Sequence, residues 1–303
     1  MNYKLIVFTL CTFALIGKSQ GQIVDKKNLI EKNAQLEKIE TGFAFTEGPA
    51  VSRLGDVYFT DQPNDKIIKW SFFTGKTEVF MENAGRSNGM FFDKEGNLIA
   101  CADMDNQLWS IDDKGNKTVL IESYKGKKLN GPNDLFITPS GDMYITDPLY
   151  KRDYWTRDSE SQQDGEHLYF LSANRLQFMP VDENLVRPNG IVGTPDGKNL
   201  YVADPGAKKI YKYDIIEDGY LANREVYLER GSDGMTIDFR GNIYVTGEDG
   251  VKIYNKKSEE IGHIPIPEKW TANVTFAGPD RKTLFITASE SVYKIRMKVY
   301  GTY

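Results

Sequence analysis

Two histidines and two cysteines in 303 residues leave little for any mechanism that needs several imidazoles or thiolates, so a zinc site built on His and Cys is not expected. Basic clusters are also missing. The net charge is -5 and no Lys/Arg block is longer than three, which removes the electrostatic footprint of a nucleic-acid binder. Long apolar runs are scarce too: the longest, Leu5 to Ile16, falls short of the roughly eighteen residues that a membrane-spanning helix needs. What the chain does have is 17 Tyr and 16 Phe, a strand-favouring composition, and 40% hydrophobic residues, enough for one large core or two small ones.

The first twenty-one residues carry Lys4, the apolar run and then Ser19-Gln20-Gly21, the pattern of a cleaved secretory leader. A secreted or periplasmic protein with no membrane span is therefore expected. A lipoprotein would need a Cys just after the apolar run, and Cys11 lies inside it. Cleavage leaves Cys101 as the one thiol, within Leu98-Ile99-Ala100-Cys101-Ala102, where it reads as a buried structural residue. Loss of Lys4 and Lys18 takes the net charge from -5 to -7. Residues 22–34 read as an extension, with a short helix over 25–33, and residues 35–303 as the folded domain.

An internal repeat decides the fold class. A turn followed by a short apolar strand recurs at Gly55, Gly96, Gly141, Gly197, Gly241 and Arg281, as in Gly55-Asp56-Val57-Tyr58-Phe59-Thr60 and Gly241-Asn242-Ile243-Tyr244-Val245-Thr246. The intervals are 41, 45, 56, 44 and 40 residues, and each unit carries a second strand downstream, such as Lys66–Trp70 or Lys209–Tyr213. A period of about 40 to 45 residues rich in strands is that of propeller blades, so an all-β, six-bladed propeller is expected. The sixth unit ends after three strands, and Gln35–Glu40 stands unpaired ahead of the first. Pairing the two closes the ring and removes an exposed sheet edge.

Eight residues before each turn position stand Glu47, Asn88, Asn133, Asn189, Asp233 and Asn273. One register in six blades predicts one layer of side chains around the axis, two carboxylates and four amides. Asn and Asp are also ordinary turn formers; Glu47 is not. A donor set of hard oxygens without His or Cys selects calcium or magnesium over zinc or copper, and calcium, with six to eight oxygens at about 2.3–2.6 Å, suits a loose ring better. Other divalent cations fit the same donors.

On these residues the chain resembles the SMP-30/gluconolactonase/LRE-like family of six-bladed calcium propellers, which includes sugar lactonases and is related to the diisopropyl-fluorophosphatases. The resemblance covers about residues 36 to 303 and is carried by Thr46-Glu47-Gly48-Pro49, Gly131-Pro132-Asn133-Asp134-Leu135, Thr146-Asp147-Pro148, Arg187-Pro188-Asn189-Gly190-Ile191 and Ser232-Asp233-Gly234-Met235. It implies a calcium-dependent hydrolase with Glu47, Asn133, Asn189 and Asp233 as metal ligands and Asp233 as acid/base. The vertebrate lactonases of the family carry a substrate-contacting Arg two residues before the blade-three Asn. Here that place is Gly131, so sugar specificity does not carry over.

The implied chemistry is lactone opening, with the metal polarising the carbonyl and Asp233 taking a proton from water. Asn88, Asn133 and Asn273 are the expected substrate contacts in the ring, together with Tyr150 from the long insert at Pro148–Glu166. This insert, with two Tyr, a Trp and two Arg in Tyr150–Arg157, reads as a lid or as a surface loop. Asp61, Asp103, Asp147 and Asp204 read either as an acidic collar that admits neutral substrates such as a sugar lactone or as turn caps. Gly85-Arg86-Ser87-Asn88-Gly89 matches the serine-hydrolase elbow but lies ahead of a strand in a β-repeat, with no triad histidine in its unit. The alternative functions are an organophosphate or other ester hydrolase on the same metal, and a non-enzymatic ligand-binding propeller.

Overall fold

A computed structural model describes residues 21–303. Apart from Gly21, the expected leader at residues 1–21 lies outside the described residues, as does Cys11. The described chain forms six antiparallel sheets, five of four strands and one of five. The inner strands Thr46–Val51, Met90–Phe92, Leu135–Ile137, Ile191–Gly193, Met235–Ile237 and Asn273–Ala277 neighbour one another in sequence order, and the sixth returns to the first. This is the six-bladed propeller that the repeat predicts. The last blade takes Glu37–Thr41 as its outer strand against Ser291–Arg296, so the chain ends close the ring.

The second strand of each blade is packed on both faces by neighbouring blades. That is why these segments read as continuous apolar runs: Leu98–Ala102, Met143–Asp147 and Thr283–Ala288 are buried at every position. Outermost strands such as Lys117–Ile121 are largely exposed. The core accordingly divides into six apolar layers, one per blade interface. The closing layer between blades six and one holds Phe59, Trp70 and Phe285, with Trp70 and Phe285 at 5.3 Å between centroids. Truncating such a ring to Ala costs about 3–5 kcal/mol, so the closure is held by packing as well as by strand pairing.

The expected helix over 25–33 does not form. Val24–Asp25 instead adds a fifth strand to blade five, and the Asp25 carboxylate accepts the Leu29 and Ile30 N–H groups, both at 2.9 Å. Leu29 and Ile30 are buried in the layer between blades five and six. Burial of that pair, rather than a helical stripe, sets the local backbone.

At the end of the channel opposite the ring of predicted site residues, the C-terminal tail crosses beneath the blades. The Tyr303 ring sits 5.5 Å from Phe91 and 5.4 Å from Phe136. A cavity of about 210 Å³, lined by Met90, Asp134, Val192, Asn273 and Tyr303 among others, lies between this plug and the ring.

Candidate active site

Glu47, Asn88, Asn133, Asn189 and Asn273 are all buried at the start of the six inner strands, and Asp233 keeps partial solvent access. Close approach of successive lead-in segments compacts the ring. A side chain at Gly48, which has φ +46°, would lie 1.9 Å from the Asn88 carbonyl oxygen, and one at Gly234 would lie 2.0 Å from the Asn273 amide. Backbone and hydroxyl bonds tie neighbouring blades at the same level. Gly89 N–H donates to Asn133 O at 2.6 Å. Thr146 Oγ1 donates to Asn189 O at 2.9 Å and Thr246 Oγ1 to Ala272 O at 2.7 Å.

Four of the predicted residues join in one chain of contacts. Asn189 Nδ2 donates to Asp233 Oδ1 at 2.8 Å and to the Tyr150 hydroxyl at 3.2 Å, while Glu47 lies within hydrogen-bonding reach of Asp233. Glu47 also accepts Gly48 N–H at 2.8 Å. The Asn273 amide lies beside Glu47 and Asp134, and its Oδ1 accepts Val274 N–H at 2.8 Å. Asn88 and Asn133 complete the ring, and their side-chain amides make no hydrogen bond to protein among the described residues.

Burial, and then the charge of Asp233, push the Glu47 carboxyl well above its ordinary value. Burial likewise raises Asp233, against the bonds from Trp270 and Asn189 that favour its charged form. Asp134, one layer deeper, is pushed up to about 7 by burial. Two carboxylates held together in a ring of amides disfavour each other's charge unless a cation lies among them, and every donor is a hard oxygen. The residues therefore fit a divalent cation of the calcium type.

Trp270 is the contact that sequence reasoning missed. Its Nε1 donates to Asp233 Oδ2 at 2.5 Å from the loop ahead of the sixth inner strand, a place with no equivalent in the other repeats. Asp134 was visible in the Asn133-Asp134 dipeptide but carries no register signal of its own.

The four collar aspartates are not free charges. Asp61 accepts Ala44 and Phe45 N–H, Asp147 accepts Asn130 and Gly131 N–H, and Asp204 accepts Val186 and Arg187 N–H. Asp103 instead pairs with Arg157 at 3.2 Å. Capping is thus the role of the first three. The insert folds over this mouth, with the Arg152 and Arg187 guanidiniums 5.2 and 5.4 Å from the Tyr150 ring.

The elbow serine is spent, since Ser87 Oγ donates to Ala84 O at 2.5 Å. Neither histidine serves it: His167 Nε2 meets Asp164 Oδ1 at 3.0 Å and His263 Nε2 meets Asp249 O at 2.5 Å. Away from the channel, ligand atoms of Asp164, His167 and Glu183 lie within 4.8 Å of one another.

Known proteins share this architecture. The chain is 28% identical to the gluconolactonase of Zymomonas mobilis, over 90% of this chain and 84% of that one. It is 25% identical to the diisopropyl-fluorophosphatase of Loligo vulgaris, over 84% of this chain and 88% of that one. A solved structure described as a candidate gluconolactonase matches with a TM-score of 0.86 at 27% identity, covering 92% of this chain and 99% of that one. The model of the SMP-30/gluconolactonase/LRE-like region matches residues 45–290. With its ring, its closure and most of its length accounted for in this way, the chain belongs to the SMP-30/gluconolactonase/LRE-like family.

Proposed function

We propose that the protein is a calcium-dependent lactone hydrolase whose acid/base is Asp233. The observation that carries this reading is the Glu47 and Asp233 pair, the first buried and the second partly open to solvent, in mutual reach within a ring that is otherwise amide. The similarity to a gluconolactonase supports the substrate class. Glu47, Asn133, Asn189 and Asp233 would hold the cation, and Lewis-acid polarisation of the lactone carbonyl is the chemistry that a bound cation supplies.

The chain's own residues perform the rest. Trp270 and Asn189 each donate to one oxygen of Asp233, which fixes the plane of the carboxylate. Water attacks the acyl carbon as Asp233 takes its proton. The bond from the acyl carbon to the ring oxygen then breaks, and the proton goes to that oxygen to give the open hydroxy acid. Asn88, Asn133 and Asn273 bind substrate hydroxyls, and Tyr150, held by Asn189, borders the pocket. Export through the leader at residues 1–21 would place this activity outside the cytoplasm.

A pH-stat assay over a panel of sugar lactones, with and without chelator, tests the reading. Turnover should vanish with chelation and return with calcium, and Asp233→Asn should remove it without lowering the melting temperature. Unchanged turnover under chelation, or no lactone opened faster than by buffer, would overturn it.

A further inference from the structure

The neutral-substrate expectation leaned on four aspartates at the mouth, and none of them is available. Three cap backbone N–H groups and the fourth holds Arg157. Around the same mouth stand Arg86, Arg152, Arg157 and Arg187, stacked on Tyr154, Tyr150, Trp155 and again Tyr150 at 4.5, 5.2, 3.5 and 5.4 Å. The acids of the insert turn the other way, since Asp153, Asp158, Glu160 and Asp164 are solvent-exposed. Glu166, on the strand that follows, is engaged by Leu149 N–H at 3.1 Å.

The insert also carries an unusual set of unmet donors. Arg152 Nε, Tyr154 Oη, Trp155 Nε1 and Arg157 Nε are buried without an acceptor, and the Arg157 side chain is only 10% exposed. Buried polar groups are nearly always hydrogen-bonded, and each exception calls for an explanation. Three of these four can only donate, and two belong to guanidiniums. Arg157 already has Asp103 as its counter-ion, whereas the Arg152 guanidinium has none among the described residues, so an acceptor-rich anion is the partner that would satisfy it. The Arg152 side chain makes no ion pair or hydrogen bond among the described residues, yet it lies over the tyrosine whose hydroxyl touches Asn189.

We propose that Arg152, with Arg187 and Tyr150, forms a second recognition site, for an oxyanion group that the lactone carries at the end away from its reacting carbonyl. The protein is then selective for acidic sugar lactones, a statement that rests on the lactonase reading above. Carboxylate, sulfonate and phosphate share the chemistry that a guanidinium fork accepts.

The test compares D-glucono-1,5-lactone with its 6-phosphate and its 6-sulfonate analogue in the metal-loaded full chain. An anionic lactone should show kcat/KM at least about tenfold above the neutral one, mostly through KM. Preference for either anion supports the site, and their ratio names the headgroup. Arg152→Gln should erase the preference and Arg152→Lys should restore part of it, with unchanged melting temperatures showing that both variants fold. Equal kcat/KM for neutral and anionic lactones, or equal losses on both in Arg152→Gln, would overturn the site. If no lactone is opened at all, the lactonase reading fails alone, and calorimetry with 6-phosphogluconate against gluconate reads the site directly. Tighter binding of the phosphate that is lost in Arg152→Gln then supports it, and equal binding overturns it.

Discussion

Blade two differs from blades one, three and four at the end of its second strand, where Asp61, Asp147 and Asp204 pair with Lys66, His167 and Lys209 but Ala102 pairs with Gln107, so that Asp103 stands one residue later. Asp61, Asp147 and Asp204 each bind the two N–H groups that lie three and two places before the ring residue of their own blade. In blade two those places are Gly85 and Arg86, both in the left-handed region at φ +63° and +45°. The turned backbone offers Arg86 N–H to Asp65 instead, at 2.6 Å. Asp103, one place past the strand, takes Gln62 Nε2 at 3.3 Å and Arg157 from the insert at 3.2 Å. A shift of one residue thus decides whether a carboxylate clamps a blade or anchors a lid.

The widest separation between the two uses should appear in stability. Asp204→Ala leaves three N–H groups, those of Val186, Arg187 and Ala207, without their acceptor and should cost about 3–5 kcal/mol in urea denaturation. Asp103→Asn, which removes no backbone acceptor and keeps an oxygen for Arg157, should cost less. A loss for Asp204→Ala no larger than for Asp103→Asn would erase the distinction.

A smaller effect separates the clamps by pH. Burial pushes Asp147 up to about 7 despite its two backbone donors. Its folded value then lies above the unfolded one near 4, so between these values the fold holds a proton that the unfolded chain releases. The associated stability is full below pH 4 and declines as pH rises through 7. Between pH 5 and 7 this decline amounts to about 2–3 kcal/mol. Asp147→Asn should flatten that part of the curve of unfolding free energy against pH, whatever its constant cost; a curve parallel to the wild type would show that Asp147 does not titrate there.

The repeat made the blades, their closure and the ring legible because all three follow backbone register. A constant offset of eight residues from a turn is visible in one sequence, and it brought Glu47 and Asp233 together from opposite ends of the chain. Trp270 and Arg157 were not legible in the same way. Each reaches its aspartate from a loop without a counterpart in other blades, across 37 positions to Asp233 and 54 to Asp103. The helix expected at 25–33 failed for a related reason: Leu29 and Ile30 find their partners in strands far along the chain. Loop residues that contact only distant segments leave no period to read.

Asp103→Asn tests the lid side of the comparison and should cost less stability than Asp204→Ala, since the amide oxygen still accepts from Arg157 and every blade's backbone clamp stays in place, although the pair it weakens is buried. Burial raises the Asp103 carboxyl, and the guanidiniums of Arg152 and Arg157 draw it back down, so the pair holds the insert at some cost in desolvation. The Arg157 guanidinium would keep Asn130 O, at 2.7 Å, as a partner. The insert should therefore stay folded but sit less firmly over the mouth. Proteolysis within residues 148–165 should quicken, and KM should rise by about three- to tenfold with kcat nearly unchanged, as for a loss of uniform binding. Equal falls in kcat and kcat/KM would instead mean that Asp103 acts in the chemical step, and the comparison of blade two with its neighbours would then be one of catalysis rather than of anchoring.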